Sequence, residues 1–171
     1  MPLDTPKHEP LYSRAEVEEY LKQNGIEFIA HEHPPVFTCA EAEKLCGDIP
    51  GIACKNLLLK DRASGKCYLI ILPANEKVNF KEIARIAGSK KITFADDDTL
   101  KDKLGLETGA VSPFGLLNNF QNDVALIIHY QVLNAEVVSF HPNVNTATLE
   151  LTREMFQKFL ELLNRPTAVI A

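Results

Sequence analysis

The sequence predicts a mixed α/β domain with a largely antiparallel sheet and surrounding helices. Two predicted strands are separated only by a hairpin-like loop at residues 61–65, whereas helices separate other strands. Residues 124–128 are apolar throughout, which is typical of a central strand. With 171 residues, of which 46% are hydrophobic, the chain has the size and apolar content of one domain with a buried core.

The first half of the chain is predicted from helix caps and breaks. Residues 1–10 contain three prolines and no periodicity, so we expect a loose lead-in. Ser13 and Thr38 each have a Glu three residues later, and this capping-box pattern predicts a helix after each of them. The first helix should end at residues 24–25 and the second near Gly47. Strands are predicted at residues 27–31, 55–59 and 68–72.

The second half alternates helices and strands. Its predicted helices begin with residues 80–87 and 97–104, and the last follows the capping residue Thr152. The predicted strands are residues 92–94, 124–128, 136–140 and 146–151. Neither an internal repeat nor a linker interrupts the pattern, so residues 1–171 are predicted to form one domain.

The charge of the chain limits how it could bind nucleic acid. A formal net charge of -5 and a pI of about 5.5 argue against binding by bulk electrostatics. Any RNA contact would need a local basic patch, and one basic cluster surrounds a predicted helix. This cluster is either a solvated helix face or a contact to a phosphate backbone; its members are Lys77, Lys81, Arg85, Lys90 and Lys91. No apolar run suits a membrane span or a signal peptide, so we expect a cytoplasmic protein.

Several chemistries find no support in the residue patterns. The four cysteines show no C-x-x-C spacing and no zinc-finger partner histidines, so we expect reduced structural cysteines and no metal or cofactor. A nucleophile elbow, a Walker loop and a G-x-G-x-x-G fingerprint are also absent from the sequence.

Three short polar segments stand out beside apolar stretches. Lys55 and Asn56 open an apolar strand, where an unpaired ammonium group would be costly to bury. Residues 109–113 begin with a glycine, which leaves the backbone conformation free, and end with a proline, which fixes it. In such a loop, successive backbone N–H groups could bind an anion or a carbonyl oxygen. Residues 141–146 follow a strand and carry His141 with several hydrogen-bonding side chains. Together the segments predict one site built from three loops.

Each segment also has a structural interpretation. Lys55 could be a surface lysine, residues 109–113 an ordinary turn, and His141 a structural histidine. Individually, three other histidines are interpreted as structural. These are His31, His33 and His129, and the last is predicted to be a satisfied core residue.

The three segments, with residues 31–38, resemble the freestanding prolyl-tRNA editing proteins of the YbaK/ProX superfamily of aminoacyl-tRNA deacylases. The residues that carry the resemblance are 54–59, 109–116 and 140–148, and the similarity extends from about residue 13 to residue 163. It implies the fold of a prolyl-tRNA synthetase editing domain and hydrolysis of a mischarged tRNA. The F-H-P-x-x-N-T stretch at residues 140–146 is similar to the branch that clears alanine from tRNA(Pro).

The resemblance also implies roles for individual residues. Lys55 would hold the tRNA 3′ end, Asn56 would orient the aminoacyl group, and Gly109 would supply a backbone contact. His141 would shape the amino-acid pocket, and the basic cluster would contact tRNA. Further substrate-binding residues implied in the same way are Thr38, Ala110, Val111, Ser112, Pro113, Pro142 and Asn145. His129 departs from the family, whose members often have Asp at that position.

The resemblance implies catalysis by a positioned water, because an aminoacyl ester is already activated. The expected partner is an aminoacylated tRNA, and prolyl-tRNA synthetase is a candidate second partner. No binding to a membrane is expected. Two alternatives remain open: editing of another misacylated tRNA carrying Ser, Thr or Cys, and a module of the same fold that binds tRNA or protein without hydrolysis.

Overall fold

The computed structural model describes residues 11–171, with the side chain of Cys39 excepted, and contains six α-helices, eight strands and one 3₁₀ helix in that range. The predicted lead-in at residues 1–10 lies outside the described residues. The elements in chain order are α1 (Arg14–Gln23), β1 (Ile29–Glu32), α2 (Cys39–Cys46), β2 (Cys54–Asp61), β3 (Cys67–Pro73), α3 (Phe80–Ala87), β4 (Ile92–Phe94), α4 (Asp97–Leu104), the 3₁₀ helix (Pro113–Asn118), β5 (Val124–His129), α5 (Tyr130–Asn134), β6 (Val137–Phe140), β7 (Ala147–Thr152), α6 (Arg153–Leu163) and β8 (Thr167–Ile170).

Side-chain caps begin the predicted helices where the sequence places them. At α1 the backbone N–H of Ser13 donates to Glu16 Oε1 over 3.1 Å. At α2 the backbone N–H of Glu41 donates to Thr38 Oγ1 over 3.1 Å, and the N–H of Thr38 donates back to Glu41 over 3.1 Å. At α6 the N–H of Met155 donates to Thr152 Oγ1. These bonds satisfy N–H groups that a helix leaves unpaired at its start.

The described strands form two sheets. A three-stranded antiparallel sheet has the order β1-β7-β6, and a five-stranded sheet has the order β4-β2-β3-β5-β8. In the second sheet β3 pairs with β5, and β5 with β8, in parallel. The other strand pairs are antiparallel, which confirms the predicted fold class. The strand order places β5 inside its sheet, between β3 and β8.

Two apolar cores lie on opposite faces of the five-stranded sheet. The larger core joins that sheet to the three-stranded sheet and includes side chains from α1, α4 and α6. The smaller core lies beneath α3, where Ile83 packs against Leu59 and Ile70. Because successive strand residues point to opposite faces, Leu58 and Leu59 contribute to different cores.

Three described elements were not predicted: the 3₁₀ helix, α5 and β8. The five residues of α5 follow His129, whose Nδ1 accepts the N–H of Gln131 over 3.1 Å. His129 is 5% exposed, so the prediction of a satisfied core residue is confirmed. In residues 11–171 no helix combines the length and hydropathy required to cross a bilayer.

Candidate functional site

Residues 33–37 form one wall of the candidate site and are tied to the segment that follows β6. The N–H of Val36 donates to Asn145 O over 3.1 Å, and Asn145 Nδ2 donates to Val36 O over 3.3 Å. The N–H of His33 donates to Thr146 O over 3.1 Å. This two-way pairing fixes the predicted residue Asn145 against a segment distant in sequence.

Gly109 approaches the same place from the loop before the 3₁₀ helix. Its φ is +95°, a conformation that a side chain strongly disfavours. A β-carbon at this position would lie 3.6 Å from Phe37 Cδ1, 3.7 Å from Val36 O and 3.9 Å from Asn145 Nδ2. Two of the three predicted segments therefore meet, and residues 33–37 lie between them.

A buried polar network below Gly109 locks these two segments together. Ser112, which is completely buried, donates through Oγ to Asn143 Oδ1 over 2.8 Å. Asn143 Nδ2 donates to Tyr12 O over 2.8 Å, and Ser112 Oγ accepts the N–H of Phe114 over 3.1 Å. Ser112 thus supports the 3₁₀ helix, with Pro113 at the first helical position. In this structure its hydroxyl is engaged within the protein, as are those of other cap residues.

His141 is held in one tautomer by the backbone. Because a carbonyl oxygen only accepts, the 2.9 Å contact between His141 Nδ1 and Ala147 O places the proton on Nδ1. Nε2 of the neutral ring is then an acceptor and makes no hydrogen bond to residues 11–171. Burial lowers the pKa of His141, and the nearby His33, whose ring centroid lies 5.8 Å away, lowers it further.

The lowered pKa of His141 gives a pH-dependent stability. The unfolded ring takes up a proton near pH 6.5, whereas the folded ring does so only at lower pH, so acid favours the unfolded chain. We expect the melting temperature of the wild type to fall more steeply below pH 6.5 than that of His141→Gln. Thermal denaturation between pH 5 and pH 8 measures this, and parallel curves for the two proteins would contradict it.

Lys55 and Asn56 point to opposite faces of β2. Asn56 pairs with Ile71, which belongs to the larger core, whereas Lys55 pairs with Leu72, which belongs to the smaller core. Asn56 therefore faces the space between the two sheets, and Lys55 faces the side that carries α3. Among the described residues, no hydrogen bond joins Lys55 to residues 109–113 or 141–146, so its convergence with those loops stays a prediction.

A single bridge between the sheets relates Asn56 to His141. Ile52 pairs in parallel with Val138 of β6, and the N–H of Ile52 donates to Val137 O over 3.0 Å. Both chains therefore run in the same direction from this bridge, and Asn56 and His141 follow it at similar distances of about 10–13 Å. Asn56 Oδ1 is buried and accepts no hydrogen bond from the described residues. A buried polar atom without a hydrogen-bond partner destabilises the folded protein unless another group, such as a ligand, donates a hydrogen bond to it.

The remaining predicted residues divide into two groups. Thr38 uses its hydroxyl for the α2 cap, and Pro142 is buried. The basic cluster is exposed, but it spans both ends of α3, which is about 12 Å long. Lys77 and Lys81 lie at the start of α3, and Lys90 and Lys91 lie beyond its end. Arg85 Nη2 lies 3.4 Å from Glu82 Oε2 within the helix.

Sequence reasoning missed the residues that support His141. His33 Nε2 lies 2.8 Å from Thr148 Oγ1, and the His33 ring lies against that of His141. A possible signal was the pair of His-Pro steps at His33 and His141. Their contact depends on the pairing of β1 with β7, which no local pattern reveals.

Burial should protect Cys54 from alkylation. Its pKa is raised to about 12, so the reactive thiolate is scarce at pH 8. Cys46, Cys54 and Cys67 form no disulfide among the described residues. We expect iodoacetamide to label Cys54 far more slowly in the native than in the unfolded protein, as read by peptide mass spectrometry. Equal labelling rates in the two states would contradict this assignment.

In residues 11–171, no group of three or more potential ligand side chains is gathered to hold a metal ion. The expectation that no metal or cofactor takes part stays a prediction.

The chain is similar to a known domain family and to several known proteins. The model of the aminoacyl-tRNA editing domain matches residues 33–159, which include all three predicted segments. The chain is 35% identical over 141 residues to prolyl-tRNA editing protein ProX of Acetoanaerobium sticklandii, covering 82% of this chain and 86% of that protein. It is 32% identical over 161 residues to prolyl-tRNA synthetase associated domain-containing protein 1 of Xenopus laevis, covering 92% and 95% of the two chains.

A solved structure shares the fold. A crystal structure described as a candidate trans-editing enzyme for prolyl tRNA synthetase superimposes with a TM-score of 0.71 at 19% identity, covering 94% of this chain and 98% of that one.

Proposed function

Because this chain belongs to the aminoacyl-tRNA editing domain family, we propose that it is a trans-acting deacylase that hydrolyses alanyl-tRNA(Pro). The observation that carries the proposal is the meeting of Gly109, Phe37 and Asn145. This contact joins two loops that the family resemblance assigns to substrate binding. We treat residues 1–171 as one editing domain.

The reaction is attack of a positioned water on the aminoacyl ester. The ester is already activated, so orientation of the water and stabilisation of the developing oxyanion suffice without a protein nucleophile. The neighbouring ribose hydroxyl of the terminal adenosine would help activate the water. Lys55 binds the phosphate of the tRNA 3′ end as a compact cation.

The loop that begins at Gly109 offers backbone donors for the substrate. The N–H of Ala110 is already bonded to Glu107 O over 3.0 Å. The N–H groups of Gly109 and Val111 make no hydrogen bond to residues 11–171, so they remain available for a carbonyl oxygen or an oxyanion. Asn56 Oδ1, buried and without a described partner, would accept from the amino group of the substrate.

Selection for alanine is by size. His141 is fixed by Ala147 O and backed by His33, so its ring forms a firm wall. Asn145 is fixed by Val36, and Pro142, the residue after the histidine, is buried. Alanine is smaller than proline, and a rigid pocket can admit the smaller residue and exclude the larger one by steric contact.

Recognition of the tRNA requires basic residues on an acidic protein. We propose that the basic cluster around α3 contacts the phosphates of the acceptor end. Its members Lys77, Lys81, Lys90 and Lys91 are exposed and form no salt bridge with the described residues. Association with prolyl-tRNA synthetase would deliver newly charged tRNA(Pro) to the same surface.

Deacylation of purified alanyl-tRNA(Pro), with prolyl-tRNA(Pro) as the matched control, tests the proposal. We expect rapid release of alanine and retention of proline. Faster release of serine, threonine or cysteine from tRNA(Pro) would reassign the amino acid. Failure to hydrolyse any of these esters, together with normal tRNA binding, would replace the enzyme with a binding module.

A further inference from the structure

Two phenylalanines form an exposed aromatic pair beside α3. Phe80, the first residue of α3, is 37% exposed, and Phe94, the last residue of β4, is 56% exposed. Their ring centroids lie 5.4 Å apart at an interplanar angle of 84°. Leaving two rings in solvent forgoes the hydrophobic free energy of burial, so a contiguous exposed pair indicates a contact surface.

The aromatic pair shares a sheet face with Lys55. Phe94 pairs with Leu59 of β2, and directly paired residues lie on the same face. Lys55 lies four residues before Leu59 and therefore points to this face as well. The distance along the strand is about 13 Å, which is the span of two or three nucleotides rather than one.

The surroundings of the pair are of mixed charge on the α3 side, where Lys77 and Lys81 alternate with Glu76 and Glu82. Lys81 follows Phe80 in the helix and Lys77 precedes it by three residues, and both are exposed without an ion pair to the described residues. On the other side the chain continues into residues 96–98, which are acidic and begin α4. An anionic chain would therefore cross the pair along its lysine side.

We propose that Phe80 and Phe94 form a stacking platform for an unpaired base of the tRNA 3′ end, with Lys77 and Lys81 at the adjoining phosphates. The inference rests on the proposed function, which assigns the terminal phosphate to Lys55. The stacked base belongs to a nucleotide that precedes the terminal adenosine, because the platform lies beyond the reach of Lys55. In an edge-to-face pair each ring keeps a face for stacking.

Aromatic platforms flanked by cations are the means by which proteins hold single-stranded nucleic acid. Each stacked base typically contributes roughly tenfold in affinity, and the contribution depends little on base identity. A docked protein is the competing occupant. The observations favour RNA, because Lys77 and Lys81 are exposed without an ion pair to the described residues and the face is the one that carries Lys55.

Steady-state kinetics with two substrates test the platform. With alanyl-tRNA(Pro), we expect Phe94→Leu to raise KM about tenfold with kcat little changed, and Phe94→Tyr to restore the wild-type KM. With the alanyl ester of adenosine 5′-monophosphate, which keeps the terminal phosphate but lacks the preceding nucleotides, all three proteins should hydrolyse the ester equally. Phe80→Leu should behave like Phe94→Leu and retains the apolar volume that packs at the start of α3.

A matched control is Phe120→Ala, since Phe120 is 48% exposed and follows the 3₁₀ helix rather than α3. This variant should leave both substrates unaffected. An unchanged KM for alanyl-tRNA(Pro) in Phe94→Leu would overturn the platform, including the case in which the variant instead loses binding to prolyl-tRNA synthetase. If the wild type hydrolyses the alanyl ester of adenosine 5′-monophosphate but not the tRNA ester, the proposed function fails instead.

Discussion

Replacement of Lys55 with alanine is expected to lower deacylation of alanyl-tRNA(Pro) by roughly 100-fold. The ammonium group would bind the phosphate of the tRNA 3′ end and thereby set the ester against the loop that begins at Gly109. Its loss should remove this charge-assisted contact and misplace the reacting carbonyl. The measurement is kcat/KM under single-turnover and steady-state conditions.

Lys66→Ala is the matched control for this prediction. Lys66 lies at the opposite end of the β2–β3 hairpin, because Lys60 pairs with Cys67 there while Lys55 pairs near the other end. The Lys66 variant should retain wild-type activity. An active Lys55→Ala protein would place the phosphate elsewhere and would remove Lys55 from the site.

Asn143→Ala is expected to destabilise the protein by about 3 kcal/mol. Asn143 is 8% exposed, its amide bridges Ser112 Oγ and Tyr12 O, and its backbone has a φ of +62°. Alanine would leave the buried Ser112 hydroxyl without its acceptor, would remove the shorter of the two hydrogen bonds to Tyr12 O, and would tolerate the left-handed backbone less well. For a chain of this size, we expect a loss of about 6–12 °C in melting temperature.

Asn122→Ala separates the backbone effect from the hydrogen bonds. Asn122 also has a positive φ, +55°, but it is exposed and its side chain makes no hydrogen bond with the described residues. It should lose only the backbone contribution, about 1 kcal/mol. If both variants lost the same stability, the Ser112–Asn143 network would contribute nothing.

The helices were predictable where caps define both ends. For α3, Asn79 accepts the N–H of Glu82 and Gly88 follows in a left-handed conformation, and the predicted bounds agree with the structure. The 3₁₀ helix was not predicted, because its Ser112-Pro113 start reads equally well as a turn. Four-residue β8 has no strong local signal and exists through its pairing with β5.

The candidate site was also predictable only where a local sequence pattern marks its residues. Residues 109–113 and 141–146 carry local signals, and the structure brings them together. The contribution of His33 depends on a long-range strand pairing and was therefore missed. The predicted unit of Lys55 and Asn56 overlooked strand alternation, which places the two side chains on different faces.

For the proposed editing reaction, the position of the candidate site between two sheets would have a consequence for translational accuracy. Asn56 comes from one sheet, His141 follows a strand of the other, and the bridge from Ile52 to Val138 joins the two. Alanine and proline differ by only a few methylene-sized groups, so the proposed discrimination would depend on keeping the separation between Asn56 and His141 constant. Phe114 of the 3₁₀ helix packs against Phe140 of β6 and Phe159 of α6, within the larger core that joins the two sheets. Errors in amino-acid selection would therefore arise from loosened packing far from the ester as readily as from changes beside it.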